Sequence, residues 1–317
     1  MYELLIQNGN TFYSPAVNGG VEWRTERRGS PGKLTFSVVN DGIIKIAEGN
    51  AVRLVKDGIP LFYGFIFTLK WDKKQIIDVT ALDQIRYLKN KDSYVYENLT
   101  ASKVIEIIAA DFNLNVGTLE PTSFLIPSRV ESNAALMDII YNALDLEITN
   151  TKKMHVLYDD FGKLTLKSIG NMIVNCLIDE ETGQNFDYSS SINNVTYNKI
   201  KVAFDNEETG KRDVYIAQHG ENINRWGILQ LYETMQGGEN GQEKADMLLS
   251  LYNIKTRKLN ISGVFGVAGV RAGCLVPVML NLGDVKIEHL MLVEKCSHVF
   301  KESEHTMNLT LRGGEFI

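Results

Sequence analysis

Cysteine is scarce in this chain. Its three residues, Cys176, Cys274 and Cys296, lie far apart and form no CxxC pair. That spacing argues against a disulfide framework or a thiolate zinc site, and it fits folding in a reducing cytoplasm. Long apolar runs are also missing: none approaches the roughly 20 residues that span a bilayer, so no membrane insertion is expected. The opening segment, Met1-Tyr2-Glu3-Leu4-Leu5-Ile6-Gln7, has no basic region and too short an apolar stretch for a signal peptide. It reads as a first β-strand. There is no basic tract either. Thirty-nine acidic and 33 basic residues give a net charge of −6, spread along the chain, so no specific nucleic-acid binding is expected.

What is present suits about two to three domains in 317 residues. Gly20–Thr25 and Lys33–Val39 flank the turn-forming run Arg28-Gly29-Ser30-Pro31-Gly32, which predicts a hairpin. Ala51–Lys56, Asp57-Gly58 and Ile59–Trp71 predict a second, because both residues of a tight hairpin turn need positive φ. Alternation is only partial from Leu61 to Leu69, as in a strand of a small barrel or sandwich with both faces partly covered. From Asp83 the character changes. Asp83–Leu88 reads as a short capped helix. Thr100 opens another, with Val104, Ile105, Ile108 and Phe112 on one face. A third starts at Ser132 or Asn133 and carries Leu136, Ile139, Ile140, Ala143 and Leu144. Thr100 and Ser132 or Asn133 are expected to cap their helices through side-chain oxygens. The hairpin Met154–Tyr158 and Lys163–Ser168 completes a small α+β section. Strands return at Tyr197–Phe204 and Lys211–Gln218, one helix covers Gly241–Tyr252, and strands dominate from Lys258.

The expected fold class is therefore α+β, mainly β. The boundaries fall as a first β domain at 1–95, an α+β middle domain at 96–190, and a second β domain at 191–317 with a helix near 241–253; that both β domains are tube-like barrels is what the family resemblance given below implies.

Two stretches share an outline: Gly49-Asn50-Ala51-Val52-Arg53-Leu54 and Gly273-Cys274-Leu275-Val276-Pro277-Val278. Each precedes a glycine turn, Asp57-Gly58 or Leu282-Gly283-Asp284, and then a second apolar strand. They are either two hairpins alike by chance or two related barrel domains flanking a helical insert. Pro277 lacks an amide donor, so its strand is expected at an edge or bulged, leaving an open edge for a neighbouring subunit.

No catalytic constellation stands out. The acidic pairs Asp159-Asp160, Glu180-Glu181 and Glu207-Glu208 are each followed by a glycine (Gly162, Gly183, Gly210) and read as solvated turns rather than acid–base pairs. His155, His219, His289, His298 and His305 form no metal-binding spacing. His298 and His305 could face each other across the turn at Lys301-Glu302-Ser303, as exposed hairpin residues or as two ligands wanting a third. Gly263–Gly269 and Gly237–Gly241 are neither GxGxxG nor GK[ST] runs, and read as a bulged loop and a linker. His219 with Cys176 or Cys296 makes no recognisable nucleophile signature. Tyr94, Tyr96 and Tyr158 are candidates for sugar stacking or for packing. Arg225-Trp226, in the loop after His219, is the most conspicuous exposed-looking aromatic pair and a candidate assembly contact.

Thr80–Asp92, Leu99–Ile105, Ile126–Arg129, Met154–Leu164 and Asn198–Val202, in that order and spacing, resemble the phage late control D family, and more closely its XkdQ-like branch. The match spans most of residues 50–260. The resemblance implies a structural baseplate hub of a contractile tail or phage-tail-like bacteriocin, assembled in the bacterial cytoplasm. It implies a homotrimer in which each chain supplies two tube-like barrels, so that a sixfold tube meets a threefold spike. The implied partners are spike, tail tube, baseplate wedge and tape-measure proteins. The lumen face would be polar or acidic, and no cofactor or catalytic group is implied. The competing readings are a tail-associated peptidoglycan hydrolase, which needs a carboxylate pair or zinc triad, and a peptidoglycan-binding module, which needs exposed aromatics.

Overall fold

The computed structural model describes residues 1–182, 185–193, 195–206, 210–235, 240–281 and 286–313. The order begins with β1 (Tyr2–Asn8), β2 (Thr11–Tyr13), β3 (Val21–Glu26), β4 (Lys33–Val39), β5 (Ala51–Lys56), β6 (Ile59–Trp71) and β7 (Ile76–Leu82). A 3-10 turn at Gln84–Lys89 leads to β8 (Lys91–Leu99), α1 (Ala101–Asp111), β9 (Val116–Leu119), β10 (Ile126–Ala135), α2 (Leu136–Thr151), β11 (His155–Asp159) and β12 (Leu164–Ser168). Then come β13 (Asn185–Ser191), β14 (Lys199–Asn206), β15 (Lys211–Gln218), α3 (Gly220–Trp226), β16 (Gln230–Thr234) and α4 (Gly241–Tyr252). β17 (Thr256–Phe265), β18 (Leu275–Asn281), β19 (Lys286–Phe300) and β20 (His305–Gly313) complete it. The protein is mainly β, as its alternating apolar patterns require.

One large sheet runs β13-β17-β20-β19-β3-β4-β7-β6-β5-β1-β2, with β18 branching from β19. Its first half covers a core that includes Ile6, Trp23, Leu34, Val52, Leu54 and Ile66. Its second half covers another, including Leu259, Leu275, Val293, Cys296 and Leu309. Between them in sequence, α1 and α2 pack with β8–β12 around Ile105, Ile108, Leu136 and Ile140. The sheet β15-β14-β16 and α4 enclose a fourth, smaller core. Those elements are inserted between β13 and β17, two adjacent strands of the large sheet.

The turn chemistry holds locally. Asp57 and Gly58 have φ of 50° and 78°, the pair of positive angles that a tight hairpin turn demands. Asp83 caps the 3-10 turn by accepting from the Ile85 amide. Two helix starts differ from expectation. Thr100 makes no side-chain cap bond; its hydroxyl is paired with Ser102. Helix α2 starts at Leu136 after Ala135, because Ile126–Ala135 is drawn into an antiparallel pair with β8, with Ser132 and Asn133 in its bulge and Asn133 at a φ of 48°.

The open edge expected at Pro277 is closed by the chain itself. β18 does lie at a margin of the sheet, but residues 173–178 run beside it in parallel. Leu275 N donates to Met172 O (3.0 Å), Ile178 N to Pro277 O (2.9 Å), and Met279 N to Ile178 O (2.8 Å). The missing Pro277 donor falls where this segment bends away and Cys176 N turns back to Val174 O (2.8 Å).

The outline shared by the two stretches is a shared structure. Gly49 N donates to Ile66 O and Ile66 N to Asn50 O; Gly273 N donates to Val293 O and Val293 N to Cys274 O, all at 2.8–2.9 Å. Both glycines have positive φ, 86° and 96°. Immediately beyond Ile66 and Val293 each long strand carries a bulge, so Thr68 meets Thr80 and Lys295 meets Thr310. The strand order β3-β4-β7-β6-β5 is repeated as β13-β17-β20-β19-β18, with every neighbouring pair antiparallel. Chance similarity of two hairpins does not reproduce five strands, a bulge and a glycine turn in the same places.

Candidate assembly surfaces

The halves are joined where β3 pairs with β19, Trp23 opposite His298 and Val21 opposite Phe300. Trp23 stacks on His298, which is fully buried. His298 Nε2 lies 2.7 Å from Val270 O, an atom that only accepts, so this nitrogen carries the proton. Nδ1 then accepts from His305 Nε2–H at 2.9 Å. Burial pushes both imidazoles down to about 4, helped at His305 by Lys56. The two histidines thus meet across their hairpin as expected, but with His298 fully buried and His305 half-buried rather than both in solvent. Around this seam Arg27 bonds Glu294 (2.8 Å) and Lys295 pairs with Glu26 (3.2 Å).

Next to the seam, three cores meet around Arg271. Its guanidinium lies 4.0 Å from the Tyr158 ring centre and 5.9 Å from that of Trp23, and it donates to Asp159 O (2.9 Å). Asp159 is buried, which corrects its reading as a solvated turn carboxylate; Asp160 beside it is exposed. The turn itself is as expected, and it folds the Asp159 carboxylate inward to accept from Gly162 N (2.7 Å) and Gln84 Nε2 (2.9 Å). Asp83 accepts from Gly32 N (2.9 Å) and Ile85 N. Burial, then the nearby Asp159, raises the Asp83 carboxyl well above its ordinary range; burial also raises Asp159. The group ties the first sheet half, the middle section and the second half together.

Other residues singled out in the sequence scatter. Arg225 and Trp226 are on helix α3, not in a loop. Arg225 is exposed, Trp226 is half-buried, and Lys255 Nζ sits 6.0 Å from the indole centre. His219 caps α3 by accepting from Asn222 N (3.3 Å), far in role from any cysteine. Cys296 instead lies beside His298, with Sγ 3.1 Å from Nε2. All three cysteines are buried free thiols whose pKa burial raises. Tyr96 and Tyr158 are buried, and Tyr94 donates to Asp111 (2.9 Å), so these rings pack rather than face solvent. Glu180 accepts from Asn281 N (3.1 Å). Glu207, Glu208, Gly183, Gly237, Gly238 and the turn Leu282-Gly283-Asp284 lie outside the described residues. Among the described residues no cluster of three His, Cys, Asp or Glu side chains is placed to hold a metal ion.

Two features of the large sheet were invisible in the sequence. The first is a polar face common to both halves. Thr35, Ser37, Asp78 and Thr80 occupy the places that Asn260, Ser262, Asn308 and Thr310 hold in the repeat. A concavity of about 520 Å³ lies on the second-half portion, lined by Glu22, Arg24, Asn260, Lys295, Ser297 and Thr310 among others. The second is a pair of unfilled edges. Among the described residues β13 pairs only with β17, and Thr68–Trp71 of β6 pair only with β7. Both edges carry exposed aromatic residues, Phe186 and Trp71.

This arrangement is the fold of prophage tail proteins. A 43 kDa tail protein of prophage MuSo2 from Shewanella oneidensis superposes with a TM-score of 0.71 at 13% identity, covering 98% of both chains. A tail protein of Neisseria meningitidis gives 0.72 at 11% identity, over 99% of this chain and 97% of that one. The chain belongs to the YQBQ-like family, whose profile matches residues 21–312. It is 27% identical to YqbQ of Bacillus subtilis over 321 aligned residues (98% of this chain, 96% of YqbQ). To the phage-like element PBSX protein XkdQ of the same organism it is 30% identical over 273 residues, covering 83% of this chain and 81% of XkdQ.

Proposed function

We propose that this chain is the structural baseplate hub subunit of a contractile, phage-type tail, joining a sixfold tube to a threefold spike. The observation that carries the reading is the internal repeat: one chain holds two copies of the same five-strand arrangement, so three chains present six similar units. Residues 1–95 supply the first tube-like barrel and β13 with β17–β20 supply the second, so the second starts at Asn185 rather than at the expected 191, and the middle domain before it faces outward. The shared polar face, carrying Thr35, Asp78, Asn260 and Asn308, lines the lumen, where a tape-measure protein or DNA passes without adhering. Similarity to a protein of a phage-like element supports the same placement.

Spike, tube and wedge proteins are the partners, and Arg225 with Trp226 on α3 forms one of the outer contacts. The particle is a phage tail, a defective prophage tail or a tail-like bacteriocin, assembled in the cytoplasm. A structural role is preferred to hydrolysis because the best carboxylate pair, Asp83 and Asp159, is buried at a junction of three cores. The test is solution mass by light scattering, at several concentrations, alone and with a candidate spike protein. A trimer, or a three-to-three complex, supports the hub. A monomer that ignores the spike overturns it.

A further inference from the structure

The seam between the halves is a finished interface, and the repeat says where its second copy belongs. In the first half, β3 fills the edge of β19 in the second half. The repeat makes β13 the equivalent of β3, and β6 the equivalent of β19. Among the described residues the free edge of β13 and the Thr68–Trp71 edge of β6 have no such partner. Within one molecule β13 ends the sheet and β6 lies seven strands further along it, and among the described residues the two do not pair.

We infer that β13 of one molecule adds to the Thr68–Trp71 edge of β6 in a second copy, antiparallel and in the register of the internal seam. That register follows from paired residues. Thr68, Lys70 and Trp71 correspond to Lys295, Ser297 and His298, counted from the equivalent Ile66 and Val293 across the bulge. Trp23 corresponds to Tyr188, because Leu34 and Leu259 are equivalent through their partners Ala81 and Leu311. Trp23 opposite His298 therefore becomes Tyr188 opposite Trp71. Arg24 opposite Ser297 becomes Ser189 opposite Lys70, and Glu26 opposite Lys295 becomes Ser191 opposite Thr68.

Exposure agrees with this assignment. His298 is 0% exposed in the filled seam, whereas its equivalent Trp71 is 61% exposed. Val21 is 0% exposed, whereas its equivalent Phe186 is 45% exposed. Ladder hydrogen bonds between an edge strand and a second chain, with an aromatic cross-strand pair, are a sound basis for association. The contact is heterologous, β13 on one copy and β6 on the next, so it propagates in one direction until it closes. Closure with three copies rests on the hub reading; the register does not.

Arg27 N donates to Glu294 O, so the pairs at Trp23 and Thr25 continue the hydrogen-bonded set and the Arg24–Ser297 pair is the closer, unbonded kind. Its counterpart, Ser189 and Lys70, suits a disulfide; both residues are exposed. The experiment is oxidation of the full-length chain carrying Ser189→Cys and Lys70→Cys, at high concentration, read on a non-reducing gel. The expected result is a ladder of cross-linked dimer and trimer that neither single variant gives, with little from Ser189→Cys paired with Asp72→Cys, two residues out of register. In parallel, Trp71→Ala, at a ring 61% exposed, should weaken association at least tenfold while leaving the thermal melt of the chain unchanged. Self-association without the Ser189–Lys70 cross-link, or with the out-of-register pair preferred, overturns this interface and leaves the hub reading standing. No association and no cross-link, with or without the spike, overturns both.

Discussion

The indole of Trp23 lies on the imidazole of His298, ring centres 5.1 Å apart and planes 18° from parallel. One ring comes from the first half of the large sheet and the other from the second. Trp23 is 3% exposed, so Trp23→Ala removes a large buried ring from the seam. The expected cost is about 3–5 kcal/mol of unfolding free energy, read by urea denaturation. Ile43→Ala, at a residue 72% exposed, should change stability by no more than about 0.5 kcal/mol.

The same seam predicts a pH dependence. His298 and His305 have folded pKa values near 4, below the ordinary 6.5. Between those values the unfolded chain binds more protons, so the histidine contribution is complete above about pH 6.5 and is lost as the pH falls toward 4. Each histidine adds up to about 1.4 kcal/mol per pH unit to that slope. Asp83 and Asp159 act in the opposite sense. Their pKa values are raised, so their contribution is complete below the ordinary 3.8 and is lost as the pH rises through the raised values. Comparing the wild type with His305→Gln removes the carboxylates from the comparison. The variant should show a shallower loss of stability between pH 6.5 and 4 in denaturant titrations.

Hairpins and helices were legible in the sequence where a local signal dictated them. Asp57-Gly58 announced a tight turn, and the spacing of Val104, Ile105 and Ile108 announced a helix. The matching glycine outlines at Gly49 and Gly273 were legible too, though only the hydrogen bonds to Ile66 and Val293 distinguish a repeat from coincidence. What was not legible depends on partners distant in the chain. Ser132 looks like a helix cap until β8 claims it for a strand. Asp159 looks like a turn carboxylate until Gln84 and Arg271 arrive from elsewhere. β13, with three serines and an aspartate, carries no strong strand signal; Tyr188 packs against the second core while most of its other side chains are exposed. The sheet edges and the polar face are properties of strand order, which no single segment encodes.

The cysteines give a simple check on the seam and the second core. Cys176, Cys274 and Cys296 are buried, and burial disfavours their thiolates. In native protein none should react quickly with Ellman's reagent, and all three should react after unfolding in guanidinium. Rapid reaction of Cys296 in native protein would mean that the β3–β19 seam opens in solution.

Gly64 tests the fit between the long first-half strand and its neighbours. A Cβ added there would come within 2.4 Å of the Leu82 carbonyl oxygen and 2.6 Å of the Phe62 ring. The carbonyl belongs to backbone and cannot swing aside, so Gly64→Ala should destabilise by about 1–3 kcal/mol. The expected signature in thermal denaturation is a lowered midpoint with an unchanged folded spectrum.

Arg271 is the charge that lets two carboxyls be buried where three cores meet. Its attraction lowers both Asp83 and Asp159 against the burial that raises them. Replacing it with Met keeps the apolar stem over Tyr158 but removes the bond to Asp159 O and the compensating charge. Breaking a buried charge network by removing one member costs about 3–5 kcal/mol, because the remaining charge stays desolvated. Asp83→Asn removes one of the two ionisable carboxyls while keeping an acceptor for one of its two amide partners, Gly32 N and Ile85 N. The double variant should therefore be less destabilised than the sum of the two single ones, by about 1 kcal/mol or more in a double-mutant cycle. Additive losses would mean that Arg271 acts through its stacking on Tyr158 and Trp23 and not through its charge.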